Sequence, residues 1–237
     1  MTELLYMSDI ESNYIKEFDA EVLVTGNDHI ILNRSAFYPK GGGQPSDTGI
    51  LRWDDNESKV TKVEKKGKII HRINGDLPPE GTIVTGHLDW GRRYEHMKLH
   101  TAQHLFSAVV FDMFKGRTVG NQIYTDYSRV DFEPVSFSKD DLDLIEEEVN
   151  HLINQAIPVE IYEENRKVIE EDFDTGRVDF SLLPDSITKL RIVDIGGYDI
   201  CPCAGTHVRN TEEIEKVNIT KNENKGKDRE RLYYEIR

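Results

Sequence analysis

The chain has 237 residues and carries 30 Lys and Arg side chains against 44 Asp and Glu, which gives a formal net charge of −14. This length suits one large domain or two modest ones, since domains commonly span about 100–200 residues. The apolar runs are much shorter than the ~18–20 residues that span a bilayer, and the acidic N-terminus lacks the basic segment of a secretory signal, so we expect no membrane association.

Residues 1–90 have the pattern of short strands separated by turns. Apolar residues are frequent at 21–24 and 29–32, and the turn-forming segment 26–28 separates them, which predicts a β-hairpin. Further strands are predicted at residues 60–64, 68–73 and 82–88. Strands this short and closely spaced favour a small barrel, so we predict an N-terminal β-barrel-like domain over residues 1–90.

Helices and then strands are predicted for residues 91–237. Apolar residues at helical spacing predict a helix over residues 94–115 that ends at Gly116. Ser138, with Asp141 three residues later, predicts the start of a second helix. A third, shorter helix is predicted at residues 165–172. Four strands are predicted after it, at residues 189–195, 198–200, 214–220 and 231–236. This order predicts a two-layer α/β domain with a mainly antiparallel sheet, and an α+β fold for the chain as a whole.

Two pairs of residues have the spacing of metal ligands. His100 and His104 lie four residues apart on the first predicted helix, which places both imidazoles on one face. Cys203 and His207 have the same spacing in a segment of small residues that suggests a tight loop. Three nitrogens and one sulfur suit tetrahedral Zn²⁺, at about 2.0–2.1 Å to nitrogen and about 2.3 Å to sulfur.

Ordinary structural roles remain open for these residues. Either pair alone is weak evidence, because such spacing often arises by chance in surface or core histidines. The helical pair is not a zincin motif, since Thr101 stands where that motif needs its glutamate. Cys201 can replace Cys203 as a ligand, or simply pack beside Pro202. Four protein ligands usually make a zinc site structural, and the sequence does not decide between a structural and a catalytic metal.

The cysteine pattern bears on the compartment. Cys201 and Cys203 are the two cysteines of the chain, and they stand one residue apart. Residues this close do not bridge easily, so we expect no disulfide framework. A reducing cytoplasm is the simplest location for such a chain.

A glycine-rich segment stands out among the predicted strands. Gly41, Gly42 and Gly43 are followed by Gln44. The segment lacks the Gly-Lys-Ser/Thr ending of a phosphate-binding loop, so we expect no nucleotide cofactor. It is either a flexible turn or a place where backbone amides approach a ligand closely, with Gln44 adding a hydrogen-bond donor and an acceptor.

Six stretches in a fixed order carry a resemblance to a known family. They are Tyr38-Pro39-Lys40-Gly41-Gly42-Gly43-Gln44-Pro45, Asp89-Trp90-Gly91-Arg92-Arg93-Tyr94, His100-Thr101-Ala102-Gln103-His104, Asp131-Phe132, Cys203-Ala204-Gly205-Thr206-His207 and Asn224-Lys225-Gly226-Lys227. With them the chain resembles the AlaX family of free-standing alanyl-tRNA editing proteins, in its medium-length type. It is also similar to the editing region of alanyl-tRNA synthetase.

The resemblance implies a fold, an activity and a cofactor. It implies a barrel-like domain with the glycine-rich motif, followed by an editing domain over residues 91–237. The implied activity is hydrolysis, without ATP, of the ester in tRNA(Ala) mischarged with serine, and glycine is a second candidate, while Ala-tRNA(Ala) is spared. One zinc ion per chain is implied, bound by His100, His104, Cys203 and His207.

The resemblance and the chemistry of the reaction suggest further site residues. We expect the amino-acid pocket to be lined by Ser35, Gly42, Gly43 and Gln44, and Gln44 also to act in catalysis. We expect Asp131 to orient a water or a ribose hydroxyl, although a turn or capping role is the alternative. Ser35 departs from the threonine common in the family, and Ala204 from a common glycine.

Binding of mischarged tRNA(Ala) by an acidic chain requires a local basic surface. Two basic stretches qualify, one beginning at Arg92 and Arg93 and the other running from Lys216 to Arg231. Within them we predict phosphate contacts for Arg92, Arg93, Lys225 and Lys227. Ordinary solvated charges are the alternative. Two other functions stay open, namely a non-catalytic RNA-binding module with a structural zinc and a zinc hydrolase of small esters.

Overall fold

The computed structural model describes residues 2–172 and 186–237. Its first part is a closed six-stranded barrel of antiparallel strands, with a short parallel pair beside it. The strands of this part are β1 (Glu3–Leu4), β2 (Glu17–Thr25), β3 (His29–Leu32), β4 (Arg34–Ser35), β5 (Gly49–Trp53), β6 (Asn56–Lys66), β7 (Lys68–Asn74) and β8 (Ile83–Leu88). Around the barrel they follow the order β2-β3-β7-β6-β5-β8.

Three helices and two further antiparallel sheets make up the second part. The helices are α1 (Trp90–Phe114), α2 (Lys139–Asn154) and α3 (Arg166–Asp172). The strands are β9 (Arg117–Ile123), β10 (Ser128–Glu133), β11 (Val159–Asn165), β12 (Lys189–Ile195), β13 (Asp199–Pro202), β14 (Val217–Asn224) and β15 (Glu230–Ile236). One sheet has the order β14-β15-β10-β9 and the other β11-β12-β13. The predicted α+β class, with a barrel followed by mainly antiparallel sheet, is confirmed.

Two hydrophobic cores underlie these two parts. The barrel core is built from residues that alternate along the strands, such as Phe18, Ala20 and Val22 on β2. The second core gathers apolar side chains of α1, α2 and the sheets between Met97 and Tyr234. A boundary between domains at residue 90 stays a prediction.

The long helix α1 is buried along most of its length. Asp89 caps its N-terminus by accepting a hydrogen bond from the Arg92 amide, and Lys115, in the left-handed conformation, ends it. It contacts α2, β9, β10, β13 and β15. Polar residues in its middle, His100 and His104 among them, therefore lie inside the protein. None of the helices in the described part of the chain is long and apolar enough to cross a membrane.

An ion pair buried between the two parts fixes α1 against the barrel side. The Arg93 guanidinium donates from Nε to both carboxylate oxygens of Asp47, at 3.1 and 2.9 Å, and from Nη2 to the same carboxylate. It also donates to the carbonyl oxygens of Asn13 and Ala36, at 3.0 and 2.6 Å. Both charged side chains are fully buried. The guanidinium nitrogens and the carboxylate oxygens therefore all have hydrogen-bond partners, which buried charges require.

Replacing Arg93 with methionine should lower the free energy of unfolding by about 3–5 kcal/mol, because the Asp47 carboxylate is then buried without its partner. The double variant Arg93→Met/Asp47→Leu should recover part of the loss. Arg52→Met is the matched control, since the Arg52–Glu57 pair is exposed and should change stability by less than about 1 kcal/mol. Urea unfolding measures all three, and equal effects for Arg93 and Arg52 would contradict the assignment.

Candidate active site

The four predicted metal ligands meet at one point. His100 and His104 project from α1, and Cys203 and His207 come from the loop that follows β13. Their ligand atoms all lie within 4.8 Å of one another. The Cys203 sulfur lies 3.4 Å from Nε2 of His207 and 3.7 Å from Nε2 of His100. The group can therefore hold a metal ion.

Hydrogen bonds behind the imidazoles orient two of these ligands. The Nδ1 atom of His104 lies 2.6 Å from the carboxylate of Asp199, and Nδ1 of His100 lies 2.9 Å from the side-chain oxygen of Gln44. Both partners are acceptors, so each Nδ1 carries a proton and each Nε2 is the atom available to a metal. Such outer bonds fix the ring orientation of metal-binding histidines.

His207 is oriented in the same way by a hydroxyl on α1. Its Nδ1 lies 3.2 Å from Oγ1 of Thr101, whose own proton is donated to the carbonyl oxygen of Met97 at 2.9 Å. The hydroxyl therefore accepts from His207, and it accepts from the Val208 amide as well. Thr101, which occupies the glutamate position of a zincin, thus serves as a support for the third imidazole.

The two cysteines have opposite electrostatic environments. Burial alone raises the pKa of a thiol, but His100 and His207 beside Cys203 outweigh this effect and lower its pKa well below the usual value. Burial, with Asp199 nearby, raises the pKa of Cys201 to about 12. The Cys201 thiol donates to the Asp199 carboxylate at 3.4 Å. The thiolate form is therefore favoured at Cys203, which suits a metal ligand, whereas Cys201 supports the acceptor behind His104.

Close packing explains the small residues of the Cys203 loop. A Cβ added to Gly205 would lie 2.1 Å from Cε1 of His100, so only glycine fits beside this ring. The Gly205 amide also donates to the Cys203 sulfur at 3.3 Å. Ala204 is exposed and is not among the residues with positive φ, so its methyl is accommodated without strain.

Segments from both parts hold this loop in place. Gln44 donates to the Thr206 hydroxyl at 2.8 Å and accepts from the Thr206 amide at 3.1 Å. The His207 amide donates to the side chain of Asn13 at 2.7 Å, and the Cys203 amide to the Arg191 carbonyl at 3.1 Å. Gln44 is thus buried beside the ligands and positions both His100 and the loop.

A cavity of about 490 Å³ opens beside the ligands. It is lined by His100, His104 and Cys203 together with Gly41 and Gly42 of the glycine-rich loop. Polar side chains from α1 and β9 complete its wall, namely Gln103, Ser107, Thr118 and Asn121. Its size is typical of a small-molecule site.

Gly43 anchors the glycine-rich loop to β9 and does not line the cavity. Its φ is +79°, and a Cβ here would lie 2.3 Å from Oδ1 of Asn121. Its carbonyl oxygen accepts from the Ile123 amide at 2.8 Å and from the Gln122 side chain at 2.9 Å. Gly43 is absent from the cavity wall and fastens the loop to β9, whereas Gly42 is part of the wall.

Ser35 lies in the barrel core and not at the cavity. Its hydroxyl is 2.8 Å from Nε2 of His71, and both residues are fully buried. Burial lowers the pKa of His71 to about 4, so the ring is neutral. The Ser35 hydroxyl also accepts from the Phe37 amide at 3.2 Å. The hydroxyl is committed within the fold, so the predicted contact with substrate is not supported by its position.

Asp131 is also placed away from the cavity. It lies on β10 with its side chain 2% exposed, and Arg231 binds it through two hydrogen bonds of 2.7 and 2.8 Å. Arg129 and Arg229 approach it at 3.2 Å. Burial opposes ionisation, but these three guanidinium groups outweigh it and lower the pKa of Asp131. This position and these ion pairs support a structural role for Asp131 and do not support the predicted catalytic role.

The predicted phosphate-binding residues differ in availability. Arg93 is fully buried against Asp47 and cannot reach a phosphate, which corrects its predicted role. Arg92 is half-buried and donates to the Ser46 carbonyl at 3.3 Å. Lys225 pairs with Glu223, whereas Lys227 is exposed.

Asp199, the acceptor behind His104, was not among the predicted site residues. Asp199 starts β13 and lies only two residues before Cys201, so an acidic residue close to a cysteine–histidine group was the available signal. The polar wall formed by Gln103 and Asn121, joined at 2.9 Å, was also missed. A histidine ligand needs an acceptor on its second nitrogen, and that requirement is what such a search can use.

Two family models match the chain. Residues 4–92 match tRNA synthetases class II (A), and residues 190–233 match the threonyl and alanyl tRNA synthetase second additional domain. An alanyl-tRNA editing protein AlaX-M from Methanosarcina barkeri is 42% identical, over 100% of this chain and 99% of its own length. The protein of the same name from Saccharolobus solfataricus is 38% identical over the full length of both.

A longer relative shares the same region. The alanine–tRNA ligase of Pyrococcus furiosus is 37% identical over 94% of this chain and 24% of the ligase. Full-length identity to the AlaX-M proteins is well beyond what a shared fold alone requires, and three of the motifs that carry the resemblance supply the four possible ligands and Gln44. The chain belongs to the AlaX family of alanyl-tRNA editing proteins.

Proposed function

We propose that this protein hydrolyses the ester bond of Ser-tRNA(Ala) in trans and spares Ala-tRNA(Ala), with Gly-tRNA(Ala) as a second substrate. The observation that carries the proposal is the set of three oriented imidazoles and one thiolate beside a cavity of about 490 Å³. The names of the full-length relatives, alanyl-tRNA editing proteins, support it. The reaction belongs to translation quality control and, on this proposal, takes place in the cytoplasm.

The donor set fits zinc, one ion per chain. Three imidazoles whose Nδ1 atoms face acceptors, together with one thiolate, form the mixed nitrogen and sulfur environment that Zn²⁺ prefers. When bound, Zn²⁺ supplies Lewis acidity for an ester carbonyl or a water. His100, His104, Cys203 and His207 bind the ion.

The chain's own groups position the substrate. The backbone of Gly41 and Gly42 forms one wall of the cavity, and the absence of side chains there lets an ester approach closely. Gln44, committed to His100 and the Cys203 loop, acts as a positioning residue. The reaction itself needs a water, which the open cavity admits.

Selectivity for serine requires a polar partner for its hydroxyl. A site built to bind a hydroxyl leaves buried polar groups unpaired when alanine enters, and can reject it by about 10⁴-fold. Because Ser35 is committed to His71, we assign this role to polar groups of the cavity wall. Ser107 and Thr118, joined at 2.7 Å, and Gln103 are the side chains that offer it.

A structural zinc in a non-catalytic RNA-binding module is the competing function. Four protein ligands normally close a zinc site and leave no position for a water. The cavity beside three of the ligands favours the hydrolase, because a purely structural site has no need of it.

Purified protein should deacylate Ser-tRNA(Ala) and leave Ala-tRNA(Ala) intact, with rates that differ by about 10³-fold or more. Release of labelled amino acid measures both rates. Removal of metal by a chelator should abolish the activity, and added Zn²⁺ should restore it. A zinc-loaded protein that deacylates neither substrate would leave the RNA-binding module as the better interpretation.

Cys203→Ser should lose bound zinc, whereas Cys201→Ser, its matched control, should keep one ion per chain. The reason is that Cys203 is the thiolate facing His100 and His207, while Cys201 stays a thiol bonded to Asp199. Metal analysis of both purified variants gives the result. If only the Cys201 variant lost zinc, Cys201 and not Cys203 would be the thiolate ligand.

Asp199→Asn should weaken zinc binding by about 10- to 100-fold, because the carboxylate that fixes the His104 ring is lost. A competition titration with a zinc indicator measures the affinity. Asp194→Asn, on the neighbouring strand β12 and outside the ligand group, is the control and should bind zinc normally. Equal affinities for the two variants would contradict the role of Asp199.

A further inference from the structure

Three exposed cations line the same cavity as the metal ligands. Lys40 precedes the three glycines of the loop, Lys65 lies on β6, and Arg117 starts β9. All three are exposed, and none forms an ion pair with any residue in the ranges 2–172 and 186–237. We call these three residues the basic rim.

Lys65 differs from the neighbouring lysines of β6, which bind a carboxylate. Lys62 and Lys66, on the same strand as Lys65, both bind the Glu64 carboxylate, at 3.0 and 3.2 Å. Arg72 binds Glu64 as well, so this carboxylate is already occupied by cations. Lys65 has no carboxylate partner among the residues that the structure describes, and it lies at the cavity.

No acidic group at the cavity offsets the rim. Asp199 is the one carboxylate among the described residues that line it, and it is buried and bonded to His104. The chain as a whole has a net charge of −14. A positive rim on an otherwise acidic protein focuses anions at this entrance and repels them elsewhere.

The size of the cavity limits what enters it. A space of about 490 Å³ accommodates a group of small-molecule size, such as a nucleoside ester, and excludes a nucleic-acid duplex. The chain that continues from such a nucleoside must leave through the mouth. Its phosphate groups then lie at the surface, beside the exposed cations.

We propose that Lys40, Lys65 and Arg117 bind the phosphodiester groups of the single-stranded 3′ end of an RNA whose terminal aminoacyl nucleoside occupies the cavity. The proposal rests on the proposed function for the identity of the RNA. It differs from the sequence prediction, which placed phosphate contacts at Arg92, Arg93, Lys225 and Lys227. The rim cations come from both parts of the molecule, so the strand is held between the barrel side and β9.

The first test is binding of uncharged tRNA(Ala) by the triple variant Lys40→Gln/Lys65→Gln/Arg117→Gln. The dissociation constant should rise by about tenfold or more at about 0.1 M salt, because three phosphate contacts are lost. Each single-strand phosphate contact contributes about 0.7 to the slope of log K against log[salt]. The slope of log K against log[salt] should fall in magnitude by about 2. Fluorescence anisotropy over a salt series measures both quantities.

Lys139→Gln is the matched control. Lys139 is exposed at the start of the acidic helix α2 and does not line the cavity, so its removal changes the charge without touching the rim. Its binding constant and salt slope should equal those of the unaltered protein. A triple variant that behaves like Lys139→Gln would overturn the proposal.

A second test separates the rim from the chemistry. Serine esterified to the 3′-hydroxyl of adenosine lacks the phosphates, so the triple variant should hydrolyse it within about twofold of the unaltered protein while losing about tenfold or more in kcat/KM on Ser-tRNA(Ala). Equal losses on both substrates would contradict a phosphate-binding role. If the unaltered protein hydrolyses neither, the proposed function fails, and the tRNA-binding measurement alone decides the role of the rim.

Discussion

The site depends on the hydrogen bonding of three buried imidazoles. Because α1 is buried along most of its length, His100 and His104 lie where an unpaired ring nitrogen is costly. Acceptors take the proton on each Nδ1, including that of His207, and leave three Nε2 atoms and the Cys203 thiolate facing one another. Burial and these outer hydrogen bonds together build a group of four donor atoms that can hold a metal ion.

The barrel is needed for the site as well as for its own stability. Gln44, from the glycine-rich loop, holds both His100 and the amide of Thr206, so the ligands of the second part are oriented by a residue of the first. The buried contact of Arg93 with Asp47 keeps α1 in register with that loop. A change in the packing of the barrel against α1 would alter the ligand geometry even with every ligand present.

Short sequence patterns predicted the elements that depend on contacts between residues close together in the chain. The hairpin of β2 and β3, the capping box of Ser138 and Asp141, and the long helix α1 all follow from turn, cap and period signals, and the structure confirms them. Strands such as β9, with the sequence RTVGNQI, lack apolar alternation and were missed. Spacing brought out the ligands because two of them share one helix face. Each acceptor is distant in sequence from the histidine that it orients, as Asp199 is from His104 and Gln44 from His100, so spacing does not pair them.

Charge was the property that sequence alone described least well. Arg93 and Asp131 are charged residues that are buried in the structure, because Asp47 pairs with Arg93 and Arg231 with Asp131 from distant parts of the chain. The availability of a cation for a nucleic acid is therefore decided by pairing and not by sequence context. Lys225, in a basic stretch, is held by Glu223, whereas Lys40, beside three glycines, is unpaired within the described ranges. On the proposal above, the cations that line one cavity without a carboxylate partner in the described ranges are the ones available to an anionic strand.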